Sequence, residues 1–168
     1  MESRAGRPIV RMASLGDEGA TVRLARRVAA IARAGDVIAL SGGLGVGKTR
    51  FARAFIDALQ GDGDEVPSPT FTLVQTYDSP AGTIWHFDLY RLNRPEEAYE
   101  LGIEDALADG IVLIEWPERL THLLPSERLD IALAFTDAQT EAESEARQAK
   151  LTGHGRWSQR LAGLMIDG

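Results

Sequence analysis

Val37-Ile38-Ala39-Leu40-Ser41-Gly42-Gly43-Leu44-Gly45-Val46-Gly47-Lys48-Thr49 is the stretch that decides the fold. Val37 to Leu40 is a continuous apolar run, as expected of a central strand buried on both faces. It enters a glycine-rich turn in which Gly42, Gly47, Lys48 and Thr49 satisfy the pattern G-x-x-x-x-G-K-[ST]. Glycines let the backbone turn so that successive amide hydrogens point at phosphate oxygens, and the start of the following helix adds favourable dipole charge. Lys48 is then placed to set an ammonium against β- and γ-phosphates, and the Thr49 hydroxyl to ligate magnesium. The alternative is a glycine-rich strand-helix turn with an exposed lysine. The flanking elements weigh against it: a helix starting near Lys48 carries Phe51, Phe55 and Leu59 at four-residue spacing, a core-facing stripe.

Outward from this loop, Ile9 to Met12 reads as a first strand, with Asp17 and Glu18 at the start of a helix whose positive end favours them. Val22, Ala25, Val28, Ala29 and Ala32 give that helix an apolar stripe, and Gly35 is placed to stop it. Thr70 to Tyr77 and Thr83 to Asp88 flank the turn-rich Asp78-Ser79-Pro80-Ala81-Gly82, which suggests an antiparallel hairpin. Asn93 and Glu96 have capping-box spacing before a short helix. Ile111 to Ile114 is a second continuous apolar run, ending at Glu115. Leu129, Ile131, Leu133 and Phe135 alternate as in a half-buried strand, with Arg147 to Leu151 as partner across an acidic loop. Glu141, Glu143 and Glu145 in that loop read as a solvated face. Trp157, Leu161 and Leu164 suit a final packing helix. These elements imply one α/β domain over residues 1–168. It is a three-layer P-loop NTPase-like fold in which helices flank a mixed central sheet that includes an antiparallel hairpin.

A magnesium ion needs further oxygen ligands, and two carboxylates are placed to converge on the loop. Glu115 closes a buried strand, at the end where open α/β sheets hold their ligands; alternatively it pairs with Arg119 one turn on. Asp88 ends a strand on which Ile84, His86 and Asp88 share one face, opposite Trp85 and Phe87. It could ligate magnesium through water, orient an attacking water, or pair with Arg91. His86 reads as structural.

Composition bounds the function. The 168 residues carry a net charge of -7, which argues against a broad independent grip on nucleic acid. There is no cysteine, so disulfides, thiolate metal sites and cysteine nucleophiles are excluded. No stretch approaches the roughly 20 apolar residues that span a bilayer, and the N-terminus has no signal-peptide core. The expectation is a cytoplasmic protein with no membrane partner.

With Gly42 to Thr49, Ser68-Pro69-Thr70-Phe71-Thr72-Leu73, His86-Phe87-Asp88-Leu89-Tyr90-Arg91-Leu92 and Ile114-Glu115-Trp116-Pro117 in one order, residues 14 to 135 closely resemble the TsaE (YjeE) family. The resemblance implies a P-loop ATPase, slow alone, that uses ATP and Mg2+ in forming N6-threonylcarbamoyladenosine at position 37 of transfer RNAs reading codons that begin with adenine. It implies that TsaB and TsaD are partners, that tRNA is met indirectly through their complex, and that the chain is not itself the threonylcarbamoyl transferase. By motif, Leu44, Gly45, Val46, Gly47, Lys48 and Thr49 hold phosphates with Gly42, Thr49 and Glu115 hold magnesium, and Asp88 supports catalysis beside Lys48 and Glu115. Trp116 lies beside the site, Thr70 belongs to a switch-like loop, and Glu18 lies near the adenine. Family members commonly have Asp in place of Gly43 and a second Thr in place of Arg50.

Two other functions fit a phosphate-binding loop. A small-molecule kinase would add an acceptor site, for which no acceptor motif or basic lid is evident. A nucleotide-gated binding module would dock on its partner with incidental hydrolysis. A guanine switch is disfavoured, because no N-K-x-D base-reading motif occurs.

Overall fold

The computed structural model describes residues 7–61, 73–136 and 146–166. Its seven strands are β1 (Ile9–Leu15), β2 (Val37–Ser41), β3 (Val74–Tyr77), β4 (Ile84–Asp88), β5 (Ile111–Glu115), β6 (Leu129–Phe135) and β7 (Arg147–Gly153). They form one sheet in the order β1-β7-β6-β2-β5-β4-β3. The middle four strands run parallel, whereas β3 on one side and β7 and β1 on the other pair antiparallel. The apolar runs in β2 and β5 are buried throughout, as strands covered on both faces require.

Side-chain alternation splits the core into two layers. Ile38, Leu40, Ile111, Leu113 and Ile131 face α1 (Glu18–Ile31), α2 (Lys48–Gln60) and α5 (Arg156–Ala162). Val37, Phe87, Val112 and Ile114 face α3 (Glu97–Glu100), α4 (Ile103–Asp109) and a 3-10 segment, Pro117–Leu123. On α2, Phe51, Phe55 and Ile56 are fully buried, while Leu59 is partly so. At roughly 1.5–3 kcal/mol per fully buried large side chain, that stripe anchors the helix whose first residues are Lys48 and Thr49. Among the described residues no helix is long and apolar enough to cross a membrane.

Several local expectations shift. The first strand runs on to Leu15. Asp17 caps α1 by accepting from the Ala20 N–H, but the buried stripe is Thr21, Leu24, Ala25, Val28 and Ala29. Val22 is only partly buried, and Ala32, beyond the end of the helix, packs against the edge of the core. The helix stops at Ile31 with Ala32 extended, and Gly35 (φ 93) serves the following turn instead. Ahead of α3 the Arg94 N–H donates to Glu97, one residue later than the Asn93–Glu96 box expected. Leu164 lies past the end of α5 yet remains buried. The described part of the first hairpin strand starts at Val74; Thr70, most of the Ser68 to Leu73 segment, and Glu141, Glu143 and Glu145 lie outside the described residues.

Candidate functional site

Parallel pairing puts the carboxyl ends of β2, β4 and β5 side by side, and Asp88 pairs directly with Glu115. Above them opens a cleft of about 450 Å3 lined by Glu18, Leu44, Gly45, Gly47, Lys48, Thr49, Asp88 and Glu115 from the sequence-based set. Leu73, Tyr90, Arg91, Arg50 and Trp116 complete the wall. Gly42 and Val46 stand behind it: Val46 is buried in the core, and a Cβ on Gly42 would lie 2.4 Å from the Leu133 carbonyl oxygen. With φ at 137 as well, that position admits glycine and little else.

Lys48 is only 5% exposed, and its ammonium folds back on its own loop, donating to the carbonyls of Gly42 (2.5 Å) and Gly43 (2.8 Å). It also lies 4.1 Å from the centre of the Trp116 ring. Trp116 in turn packs on Tyr90, at 4.8 Å between ring centres, from a left-handed backbone conformation (φ 61) that turns the chain out of β5. Burial lowers the Lys48 pKa below its usual value, and the charges of Glu115, then Glu118 and Asp88, oppose that shift.

Glu115 is 2% exposed and does not pair with Arg119. Its Oε1 accepts from the Thr49 hydroxyl at 2.8 Å and its Oε2 from His86 Nε2 at 2.7 Å. The hydrogen is assigned to Nε2 because the acceptor is a carboxylate; Nδ1 then has no partner among the described residues. His86 is therefore structural, and what it supports is the candidate metal ligand. Asp88 accepts through Oδ1 from the Tyr90 N–H at 3.2 Å rather than from the Arg91 guanidinium. Burial raises its pKa above the ordinary carboxyl value; the Tyr90 N–H works against this, Glu115 adds to it, and His86 and Lys48 reduce it. Glu18, on the rim, pairs with exposed Arg50 at 2.6 Å, and such an exposed pair contributes little to stability.

These oxygens suit a hard divalent cation. One carboxylate and one hydroxyl, fixed 2.8 Å apart beside a buried ammonium, match the sparse protein ligation of magnesium completed by phosphate and water. No group of three His, Cys, Asp or Glu able to hold a metal by itself occurs among the described residues. The phosphate cradle fits too, since Cβ atoms on Gly43, Gly45 and Gly47 would meet nothing within 4 Å. The Gly43 backbone thus makes no steric demand for glycine.

Residues 15–147 match the family described as "Threonylcarbamoyl adenosine biosynthesis protein TsaE". Curated relatives named tRNA threonylcarbamoyladenosine biosynthesis protein TsaE include one from Rickettsia bellii, 46% identical over 73% of this chain and 85% of the relative. One from Bacillus subtilis is 38% identical over 67% and 70%, and one from Streptomyces coelicolor 35% identical over 80% and 92%. The crystal structure of Bacillus subtilis YdiB superposes with a TM-score of 0.73 at 26% identity, covering 94% of this chain and 95% of that one.

Proposed function

The chain belongs to the TsaE family, and from that premise we propose that it is the ATP-binding and ATP-hydrolysing subunit of tRNA threonylcarbamoyladenosine formation, working with TsaB and TsaD. The observation that carries this reading is the convergence of Lys48, Thr49, Asp88 and Glu115 on one cleft at the carboxyl ends of three strands. ATP with magnesium supplies a phosphoanhydride whose cleavage releases free energy, with the metal offsetting phosphate charge.

The residues of the chain do the rest. Leu44 to Thr49 would hold the phosphates through backbone amides, with the Lys48 ammonium, now on the Gly42 and Gly43 carbonyls, within the same loop to neutralise them. Thr49 and Glu115 hold the magnesium, with Glu115 kept in place by His86. Asp88 orients the attacking water through Oδ2, the oxygen not engaged by Tyr90, and burial makes it a better proton acceptor than an exposed carboxylate. Recognition of tRNA falls to the partners, in keeping with the net charge of -7. The protein works in the cytoplasm, and nothing in this reading needs a membrane.

The test is reconstitution with TsaB, TsaD, tRNA and ATP, scoring modified adenosine. Lys48→Ala and Glu115→Ala are expected to abolish ATP-dependent modification; full activity in both purified variants overturns the reading. Following labelled γ-phosphate separates hydrolysis, which yields free phosphate, from a kinase, which yields a labelled metabolite. Sustained modification with an analogue that cannot be hydrolysed would favour the gated binding module.

A further inference from the structure

We infer that Arg147, far from the phosphate-binding loop in sequence, is a positioning residue that sets the orientation of the Gly47 amide in that loop. Its Nε donates to the carbonyl oxygen of Val46 at 3.2 Å. In a planar trans peptide the carbonyl oxygen and the following N–H point in opposite directions. Holding the Val46 oxygen toward β7 therefore turns the Gly47 N–H the other way. Val46 is buried behind the loop while Gly47 lines the cleft, so the other way is toward the cleft. Gly47 has no side chain to fix this plane and sits at φ 114, where glycine moves at little cost. Without the guanidinium the plane loses the side-chain hydrogen bond that fixes its tilt.

The guanidinium is itself held. Arg147 pairs across the hairpin with Phe135, and its charged group lies 4.0 Å from the centre of that ring. The same hairpin meets the loop a second time, where the Leu133 carbonyl leaves no room for a Cβ on Gly42. The end of the β6–β7 hairpin thus braces both ends of the glycine turn.

The inference rests on the phosphate-binding reading of the loop, and two measurements keep the two apart. In the full-length nucleotide-free protein, the Gly47 amide is followed by NMR chemical shift and hydrogen exchange. Arg147→Ala is expected to move the shift and raise exchange at Gly47, and Arg147→Lys, which keeps a donor, to restore part of the wild-type signal. An unchanged Gly47 amide in a folded Arg147→Ala protein overturns the inference whatever the ligand. In the second measurement, magnesium-ATP affinity is read from the change in tryptophan fluorescence, Trp116 being the one of the three tryptophans that lines the cleft. Losing one charge-assisted hydrogen bond is expected to weaken binding about tenfold in Arg147→Ala. Phe135→Ala should weaken it about threefold, with Phe135→Tyr near wild type. Equal affinity in wild type and Arg147→Ala, with binding lost in Lys48→Ala, sinks the inference and leaves the nucleotide reading standing. Equal affinity in wild type and Lys48→Ala sinks the nucleotide reading, and the amide signal then decides the bracing by itself.

Discussion

Asp36 and Glu115 are both buried carboxylates, 3% and 2% exposed, at opposite ends of the parallel strands at the centre of the sheet. Asp36 precedes β2 and is closed off. Arg160 grips it with two nitrogens at 2.6 and 2.7 Å, the Arg33 N–H adds a third bond, and the guanidinium is backed by the Trp157 ring. Glu115 ends β5 and has only a hydroxyl and an imidazole, with no arginine. A buried charge needs a counter-charge or it is costly. Asp36 has its counter-charge within the chain and is a structural tie between β2 and α5. Glu115 has no bonded counter-charge, only the nearby ammonium of Lys48, and it lines an open cleft, where a cation could complete its coordination.

Removing charge from each carboxylate is the sharpest way to break this contrast. Asp36→Asn strands the Arg160 charge, 14% exposed, and is expected to cost about 3–5 kcal/mol in urea unfolding. A loss under about 1 kcal/mol would show that Arg160 reaches water and that the tie is not buried. Next comes Gly42→Ala, which puts a Cβ against the Leu133 carbonyl at a strained φ. It is expected to cost about 2–3 kcal/mol and to weaken nucleotide binding.

Glu115→Gln should cost less than Asp36→Asn, about 1 kcal/mol, since an amide can still bond Thr49 and His86 and the Lys48 ammonium keeps its bonds to the Gly42 and Gly43 carbonyls. In that variant the tightening of nucleotide binding by magnesium should disappear. A loss as large as that of Asp36→Asn would erase the distinction drawn between the two ends. The smallest effect belongs to Asp88, whose raised pKa means that the native protein binds this proton more tightly than the unfolded chain does. The corresponding stability is full below the ordinary carboxyl value and is lost as pH rises through the native one. Asp88→Asn should therefore raise the thermal midpoint at pH 7, with the gain vanishing below about pH 3. A variant less stable than wild type at pH 7 would mean that the ionised form is favoured by contacts that outweigh its burial.

Legibility in the sequence followed the range of the interaction. β2, the glycine loop and α2 were readable because strand, turn and helix are consecutive, and their apolar spacing and glycines act within a few residues. Both hairpins were readable for the same reason. Glu115 was reachable because an apolar run ending in a carboxylate marks a strand's end. The sequence reads His86 as structural and on the correct face, but does not give its partner, Glu115. Its partner depends on β4 lying beside β5, and the signal available was only its place two residues before Asp88 on an inward face. Glu18 was placed at the site by resemblance, but its pairing with Arg50 across two helices was not foreseen.

By itself, then, the chain's order of residues determined the strands, the helix after the loop with its inward face and the chemistry of the loop, because these depend on local spacing and on side-chain type; α4 and the 3-10 segment carry no such signal. Tertiary structure decided which groups meet. That includes Glu115 with His86 and Thr49, Asp36 with Arg160, and Arg147 with Val46, because each pairing joins elements made adjacent only by strand order and register. The same hydrogen-bonding groups in another strand order would leave Glu115 a surface carboxylate and the loop without its brace.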